Sequence, residues 1–383
     1  MRDNWTYKKM SEVFDLQMGK TPDRKTPSYF GGDNVWVSIR DLVGKEIGES
    51  NEHITDTAVI TTNIRKVKKG TVIMSFKLTV GKCAITTKDL YTNEAIMAFN
   101  LNEGYDIIPD YLYYYLSNYN WKGANKAVMG ITLNKATISQ QRIGYPPLSE
   151  QQSIVAELDK INELMNLKKA QLKDLDALAQ SIFYDMFGDP IENEKGWEVK
   201  KLGEIGEPTI GLTYKPDNVT SDGTGTIVLR SSNIQDSKLD FEDIVRVNIS
   251  INDSKYVKDG DILMCSRNGS FKLVGKVAMI HSLSERMSYG AFMTIIRSEY
   301  NPYLFGYFKT SAFREYLIQG KTTTVNQITV QMLKDIKLPL PPLSLQQDFA
   351  KRIELIEQQK AQISSSIKDL ETLLASRMQY WFD

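Results

Sequence analysis

The chain has 383 residues, more than one compact core usually holds, so two or more domains are expected. Its 47 basic and 47 acidic residues balance, and no apolar run approaches the roughly 18 residues of a membrane span, which excludes a membrane protein. Two cysteines, two histidines and no secretory leader at the start argue against a disulfide framework, a zinc site and secretion, and we expect the cytoplasm.

Residues 1–148 are predicted to form a mixed α/β globule. Three short stretches, at 35–40, 70–76 and 94–99, have the composition of strands, and residues 109–119 have that of a tyrosine-rich helix. Tyr111 and Tyr115 stand at helical spacing, which favours a role in the core over one in base stacking.

A long helix is predicted next, over residues 149–188. A proline pair precedes it, and Ser149 with Gln152 three residues later has the pattern of a capping box. Apolar residues then recur at the a and d positions of a heptad. This seam comprises Ile154, Leu158, Ile161, Met165, Leu172, Leu175, Ala179, Ile182 and Met186, with Lys168 as a charged interruption.

The same plan then repeats. Pro146-Pro147-Leu148-Ser149-Glu150-Gln151-Gln152 returns 195 residues later as Pro341-Pro342-Leu343-Ser344-Leu345-Gln346-Gln347. Trp5, Lys8-Lys9, Glu12 and Gly19 return 192 residues later as Trp197, Lys200-Lys201, Glu204 and Gly211. We therefore predict a second mixed globule over 189–343, with strands at 226–230, 261–265 and 276–280 and one helix over 302–318.

A second long helix is predicted over 344–383, again with a capping box at Ser344 and Gln347. Its seam comprises Phe349, Ile353, Ile356, Ile363, Ile367, Leu370, Leu374 and Trp381, interrupted by Lys360 and Arg377. Each seam is about 57 Å long at 1.5 Å per residue, and a small globule is only about 30 Å across. We therefore expect the seams to pair with each other in an antiparallel coiled coil, with the globules at opposite ends, and not to fold back onto their own globules.

The distribution of charge indicates a polyanion surface on the globules. Residues 58–88, 111–149, 262–284 and 316–334 contain no acidic residue, and they correspond between the two halves. The loop from Ser266 to Lys272 is four residues longer than its counterpart 75–77, and its Arg267 and Asn268 are residue types that read guanine and adenine edges. The predicted DNA contacts are Lys20, Arg24, Lys77, Lys82, Lys126, Lys135, Arg230, Arg267, Asn268, Lys272, Lys276 and Lys321.

No catalytic or metal-binding constellation is predicted. Gly19-Lys20-Thr21 and Gly320-Lys321-Thr322 lack the upstream glycine of a phosphate loop, and Asn301-Pro302-Tyr303 lacks the second proline of an amino-methyltransferase motif. Cys83 and Cys265 occupy non-equivalent places in the two halves, as buried structural thiols do. We therefore expect a chain that is not an enzyme and holds no cofactor.

The repeated Pro-Pro-Leu-Ser-x-Gln-Gln entry, the Trp-x-x-Lys-Lys motif in both halves and Ser231-Ser232-Asn233-Ile234 after a strand resemble the specificity subunit of type I restriction-modification systems. The resemblance covers essentially the whole chain. It implies that 1–148 and 189–343 are target recognition domains, each reading half of a split sequence in double-stranded DNA, and that 149–188 and 344–383 are spacer helices.

The resemblance also implies partners. The helices would fix the separation of the half-sites and dock two modification subunits, and two restriction subunits could join them. S-adenosylmethionine, ATP and magnesium are then expected on those partners and not on this chain. Two other hypotheses stay open: a coiled-coil scaffold whose basic loops bind nucleic acid without sequence preference, and a stand-alone nuclease.

Overall fold

The computed structural model describes residues 2–121, 125–127, 130–319 and 326–382, with the backbone alone for 125–127 and 130–132. The chain divides into two compact units. The first unit comprises Met1–Lys168 with Ser366–Asp383, and the second comprises Lys169–Ser365. Each unit therefore contains one globule together with a segment of each long helix.

The first globule alternates strands with short helices, as expected for a mixed α/β domain. Its strands are β1 (Thr6–Lys9), β2 (Phe14–Met18), β3 (Phe30–Val37), β4 (Glu46–Ile47), β5 (His53–Ile54), β6 (Val72–Ser75), β7 (Cys83–Thr86), β8 (Tyr91–Thr92), β9 (Ile96–Leu101), β10 (Asn125–Ala127), β11 (Gly130–Thr132) and β12 (Arg142–Tyr145). Its helices are α1 (Met10–Val13), α2 (Asp56–Thr62), α3 (Pro109–Asn118) and α4 (Lys135–Gln140), and the long helix α5 (Leu148–Phe187) follows.

The second globule repeats this plan. Its strands are β13 (Glu198–Lys201), β14 (Glu207–Ile210), β15 (Val219–Thr220), β16 (Thr226–Leu229), β17 (Ile234–Gln235), β18 (Lys238–Leu239), β19 (Arg246–Val247), β20 (Ile262–Cys265), β21 (Val277–Met279), β22 (Met287–Tyr289), β23 (Met293–Arg297) and β24 (Lys337–Leu340). Its helices are α6 (Leu202–Ile205), α7 (Asn301–Phe308), α8 (Ser311–Gln319) and α9 (Val330–Lys334), and the long helix α10 (Leu343–Phe382) follows.

The main sheets confirm the duplication, because four strands follow the same order in both and only the first sheet has a fifth. The first has the order β2-β9-β6-β7-β4 and the second the order β14-β23-β20-β21. In each globule the first strand pairs with the last, β1 with β12 and β13 with β24, and both pairs are antiparallel. A separate parallel pair, β3 with β8 and β16 with β22, also recurs. Both globules are therefore built on one frame.

Gly19 and Gly211 show why a glycine recurs 192 residues apart. Each follows the first strand of the main sheet at a place where two backbone segments nearly touch. A Cβ on Gly19 would lie 2.1 Å from the carbonyl oxygen of Thr92, and one on Gly211 would lie 2.2 Å from that of Tyr289. Because real Cβ contacts are never so short, this crossing requires glycine in both halves.

One predicted helix is divided. The sequence predicts a single helix over 302–318, whereas the structure ends α7 at Phe308 and begins α8 at Ser311. The side-chain oxygen of Thr310 accepts a hydrogen bond from the amide of Phe313 and its hydroxyl donates to the carbonyl of Tyr307. Thr310 therefore caps the second helix and interrupts the first, which makes the single-helix prediction wrong.

The long helices begin with Leu148 and Leu343, but the predicted capping boxes are absent from both starts. The carbonyl of Pro147 accepts from the amides of Glu150 and Gln151, so Ser149 already lies inside the helix. The side chain of Gln151 instead donates to the carbonyl of Pro146 over 2.9 Å. The first glutamine of the motif, and not the serine, therefore secures the entry of the helix.

The second copy of the motif uses the same contact. The side chain of Gln346 donates to the carbonyl of Pro341 over 2.7 Å, and both glutamines are buried. Their recurrence in the sequence thus reflects one structural role.

In the second unit the two long helices run antiparallel. Phe183 of α5 packs against Phe349 of α10, and further along Asp176 of α5 pairs with Lys360 of α10 over 2.7 Å. Lys360 is only 7% exposed and also contacts Glu357 over 2.9 Å, so this charged seam position is neutralised from two sides. The seams do pair with each other, as the sequence predicts.

The first unit contains the opposite ends of the same helices. Arg377 of α10 forms an ion pair with Glu157 of α5, and Trp381 donates to the same carboxylate over 2.9 Å. The ring of Phe382 packs edge-on against Tyr111 and Tyr115 of the globule. The end of the last helix therefore completes the core of the first globule.

The helix seams are buried as predicted, although to different degrees. Ile154, Leu158, Ile161, Phe349, Ile356 and Ile367 are buried, whereas Leu172, Leu175, Ile182, Ile353, Ile363, Leu370 and Leu374 are half-buried. At the end of α5 the deeply buried residues are Phe183 and Phe187. The heptad there marks Ile182 and Met186, so the sequence missed the two aromatic residues that join the core.

Helix ends also contact the globules. Ile154 and Leu158 belong to the core cluster of the first globule, and Phe183, Phe187 and Phe349 to that of the second. The helices therefore pair with each other, as predicted, and their ends also pack into the cores of the globules, which the sequence did not predict. Tyr111 and Tyr115 are buried in the first core, which confirms their predicted role.

No helix in the described part of the chain combines the length and the apolar character of a membrane span.

Candidate nucleic-acid interface

Several described cationic residues without an ion pair lie at one hairpin of each main sheet. We call residues 76–82, between β6 and β7, the first corner, and residues 266–276, between β20 and β21, the second corner. Met74 pairs with Cys83 across the first hairpin, and Met264 pairs with Val277 across the second. The second corner is thus four residues longer, as the sequence predicts.

The first corner is anchored at its first residue. The amide of Phe76 donates to the carbonyl of Ala95 over 2.9 Å, and the carbonyl of Phe76 accepts from the amide of Leu133 over 2.8 Å. These bonds tie the hairpin to the strand beside it and to the segment that precedes α4.

The second corner is anchored in the same way. The amide of Ser266 donates to the carbonyl of Phe292 over 2.9 Å, and its carbonyl accepts from the amide of Ile328 over 2.8 Å. The next residues, Lys77 and Arg267, therefore occupy equivalent positions on the two frames.

The second corner presents polar and cationic groups on a fixed backbone. Asn268 donates to the hydroxyl of Ser231 over 3.2 Å, which connects the corner to the turn after β16. The guanidinium of Arg267 lies 5.1 Å from the ring centroid of Phe292. Lys272 is exposed, and Lys276 is half-buried with its ammonium 3.3 Å from the side-chain oxygen of Gln235.

The first corner is shorter and contains neither arginine nor asparagine. Lys77 is half-buried, with its ammonium 5.5 Å from the ring centroid of Phe76, and Lys82 is exposed. Between them Leu78 is 55% exposed and has a positive φ of 64°. Lys135 is exposed at the start of α4, two residues after the anchoring Leu133.

Three predicted DNA contacts outside the corners instead have partners within the protein. Lys20 donates to the carbonyls of Thr62 and Asn63 at the end of α2, where a cation stabilises the helix terminus. Arg24 forms two hydrogen bonds with Glu52, which lower the pKa of that carboxyl.

The third of these residues is Arg230, which pairs with Asp243 over 2.6 Å. Of the remaining predictions, Lys126 lies in β10, where only the backbone is described, and Lys321 lies outside the described residues.

The acid-free stretches are less basic in space than in sequence. Three cations of residues 58–88 pair with carboxylates outside that stretch: Arg65 with Asp15, Lys68 with Asp89, and Lys88 with Glu49. In contrast, Lys77 and Lys82 and the cations of the second corner form no ion pair with any described residue. The candidate surface is therefore the corners and not the whole stretches.

Two candidate residues were missed by sequence reasoning. Arg40 is exposed in the turn Ile39–Asp41, which corresponds to the turn Ser231–Asn233 beside the second corner. The sequence could have indicated Arg40, because its turn aligns with Ser231–Asn233 at the same offset of 192 that relates Gly19 to Gly211. Phe292, 57% exposed, had no such signal, because nothing local in the sequence distinguishes an exposed phenylalanine from a core one.

Neither cysteine belongs to a reactive site. Cys83 and Cys265 are buried and free, and they lie on β7 and β20, which are non-equivalent strands. Burial raises the pKa of Cys83 to about 12, and burial also raises that of Cys265. Both therefore remain neutral thiols at ordinary pH, as the sequence predicts.

A family model of the type I restriction modification DNA specificity domain matches residues 2–176 and again residues 194–371. The chain belongs to this family. The two matches correspond to the two halves of the duplicated fold, and they confirm the resemblance found in the sequence.

Named relatives agree with this assignment. The type I restriction enzyme MjaIX specificity subunit of Methanocaldococcus jannaschii is 30% identical over 224 residues, 53% of this chain and 51% of the relative. The EcoKI specificity subunit of Escherichia coli is 27% identical over 170 residues, 42% of this chain and 36% of the relative. The matches thus span about half and about a third of these two relatives.

Solved structures share the fold. One, from a structure of complex assembly and conformational transition in a type I R-M system, has a TM-score of 0.64 at 19% identity and covers 100% of this chain and 98% of that chain. The type I restriction-modification S subunit from M. genitalium has a TM-score of 0.51 at 15% identity, with the same coverage.

Proposed function

We propose that this chain is the sequence-specific DNA-binding subunit of a type I restriction-modification enzyme, and that it reads a bipartite target with one globule per half-site. The observation that carries the proposal is the pair of equivalent corners. Both are anchored by the same backbone hydrogen bonds and both carry an exposed lysine and an exposed leucine, yet the second corner is four residues longer and adds Arg267 and Asn268. A shared frame with unlike loops suits two different base sequences.

The chemistry of the corners supports DNA as the ligand. Unpaired cations lower the free energy of a nearby phosphate backbone, and the arginine and asparagine of the second corner can make paired hydrogen bonds to base edges. Loops set on a rigid sheet keep these groups in place before binding, which reduces the entropy lost on association.

We include partners in the proposal. The names of the relatives place them in restriction enzymes, and we infer that α5 and α10 dock two modification subunits and fix the separation of the half-sites. Two restriction subunits could join this complex. The chemistry would then reside in the partners, which would hold S-adenosylmethionine, ATP and magnesium, while this chain supplies recognition without catalysis.

Exchange of one globule tests the proposal. Residues 189–343 are replaced by the corresponding segment of another specificity subunit, and modified sites are mapped in DNA from cells that also express the modification partner. We expect one half-site to change and the other to stay the same. Binding that falls steeply with salt but shows no sequence preference would contradict the proposal and favour a nonspecific scaffold.

A further inference from the structure

Phe292 is an exposed aromatic residue whose backbone is fixed to the second corner. Its carbonyl accepts from the amide of Ser266 over 2.9 Å, from the amide of Arg267 over 3.1 Å and from the hydroxyl of Ser266 over 3.0 Å. Its ring is nevertheless 57% exposed. Three hydrogen bonds thus fix the backbone carbonyl of a residue whose ring is largely outside the core.

Arg267 lies on this ring, with its guanidinium 5.1 Å from the ring centroid. Such a contact between a cation and an aromatic face is attractive and restricts the rotamers of the arginine. No hydrogen bond or ion pair joins the guanidinium to any described residue, so its donors stay available on the described surface.

The other arginines of residues 190–342 differ in this respect. Each directs its guanidinium to a carboxylate or a carbonyl of the protein. The pairs are Arg230 with Asp243, Arg246 with Glu285, Arg286 with Asp253, Arg297 with Asp261, and Arg314 with the carbonyl of Val274. Arg267 therefore differs from the other five arginines. Its guanidinium N–H groups have no hydrogen-bond partner among the described residues, and the guanidinium lies over the exposed ring of Phe292.

The first corner has no such arrangement. Lys77 occupies the position of Arg267, and Ala95 supplies the anchoring carbonyl that Phe292 supplies in the second. Lys77 contacts the buried ring of Phe76, whereas Arg267 contacts an exposed ring, and lysine cannot form the planar fork of arginine.

We propose that Arg267 reads a guanine from the major groove in the half-site of the second unit, and that Phe292 is the positioning residue that holds it. The inference rests on the proposed function. The planar fork matches the O6 and N7 acceptors of guanine. Contact with Phe292 restricts the guanidinium of the exposed Arg267, while no described residue takes up its N–H donors. Less side-chain freedom is then lost when the two hydrogen bonds form.

The test uses the full chain assembled with its modification partners and measures competition binding at one salt concentration. The competitors are duplexes in which each base pair of the target is varied in turn. The variants are Arg267→Ala, Arg267→Lys, Phe292→Leu and Phe292→Tyr. Because Phe292 is exposed, Phe292→Leu should leave the melting temperature unchanged, so a binding defect would not report misfolding.

We expect Arg267→Ala and Arg267→Lys to abolish a guanine preference of about 5-fold to 150-fold at a single position of one half-site. Phe292→Leu should reduce the preference at that same position by about 2-fold to 5-fold, the strength of an exposed cation–aromatic contact. Phe292→Tyr should keep the guanine preference of the parent chain, because tyrosine retains the aromatic ring.

The binding experiment distinguishes failure of the positioning role, of guanine reading and of the proposed function. If Arg267→Ala weakens the guanine preference and Phe292→Leu does not, the positioning role is overturned. If Arg267→Ala leaves every base preference intact, or alters a position that prefers another base, guanine reading is overturned while the proposed function stands. If the unaltered complex prefers no sequence at all, the proposed function itself fails.

Discussion

A comparison of the two corners shows that the duplicated frame keeps its backbone hydrogen bonds while the loop lengths and some side chains differ. In both, the first loop residue is held by one amide donor and one carbonyl acceptor, and that pattern is indifferent to the side chains. Beyond that residue both corners have lysines and an exposed leucine, but the second adds Arg267 and Asn268 and lies beside the exposed ring of Phe292. Side chains of the corners can therefore differ without disturbing the sheet.

The same comparison extends to the helix ends. In the second unit Phe187 packs edge-on against Tyr303 with ring centroids 5.0 Å apart, and in the first unit Phe382 packs against Tyr111 at 5.7 Å. Each tyrosine donates its hydroxyl to a carbonyl of the last strand of its globule. Both globules are thus closed by an aromatic residue from the end of a long helix.

The largest expected effect is on stability, and it differs between the two aromatic residues at the helix ends, Phe187 and Phe382. Phe187→Ala should lower the free energy of unfolding by about 3–5 kcal/mol, because Phe187 is only 3% exposed. Phe382→Ala should cost about 2 kcal/mol, since its ring is half-buried and loses fewer contacts. Urea unfolding of the full chain measures both. Leu355→Ala, at a site 61% exposed, is the control and should change little. Equal effects of the two phenylalanine variants would contradict this difference.

A second prediction concerns the shared glycine. Gly19→Ala and Gly211→Ala should each destabilise the chain by about 3 kcal/mol, because the new methyl group would overlap backbone oxygens. The matched control is Gly44→Ala, where a Cβ meets nothing within 4 Å. Thermal unfolding compares the three variants. If only one of the glycine variants proved destabilising, the frames would not be equivalent at this crossing.

The sequence predicts the frame well because its constraints recur. Gly19 and Gly211 share one steric cause, and Gln151 and Gln346 share one hydrogen bond, so comparing the halves reveals both. The closure by Phe382 could not be found in this way. It joins residues about 270 positions apart, and the local heptad gives no sign of it.

The candidate surface was harder to predict for a related reason. An acid-free stretch indicates basic character only if no carboxylate approaches from elsewhere, and Asp15 and Glu49 do approach Arg65 and Lys88. Residues 50 and 39 positions apart make these pairs, and no local sequence pattern connects residues so far apart. Charge counting therefore located the regions but not the free cations.

A third prediction distinguishes free from paired cations. Lys82→Gln should weaken DNA binding and reduce the slope of log affinity against log salt by roughly 0.9, as expected for one lost phosphate contact. Lys68→Gln removes an equal charge that already pairs with Asp89 over 2.9 Å, and it should change the slope less. Binding titrations at several salt concentrations measure both. Identical slopes for the two variants would contradict the predicted difference between a free and a paired lysine.

The smallest expected effect is a difference in pH dependence between the turns beside the corners. Burial alone would raise the pKa of Asp41, but hydrogen bonds from Ser38 and Asn51 outweigh it and lower that pKa. This stabilisation is present above the ordinary aspartate pKa of about 3.9 and is lost as the pH falls through the lowered value. Asp41→Asn should therefore reduce the loss of stability on acidification.

The second turn supplies the matched variant. Asn233 occupies the place of Asp41, and its amide donates to the carbonyls of Asp240 and Asp243 over 2.9 Å each. A carboxylate in Asn233→Asp would face those carbonyls and have a raised pKa, so acidification should stabilise this variant relative to the parent chain. Urea unfolding between pH 6 and about pH 3 measures both variants. The same sign for both would contradict the assigned hydrogen bonds.

The most direct test of the account compares the two corners in the assembled enzyme. Modified sites are mapped in DNA from cells that express the modification partner with either of two double variants. One carries Lys77→Ala and Lys82→Ala, and the other carries Arg267→Ala and Lys272→Ala. The account predicts that each variant relaxes the sequence requirement in one half-site, and that the two variants affect opposite halves. Loss of sequence in the same half-site, or in both halves with either variant, would contradict it.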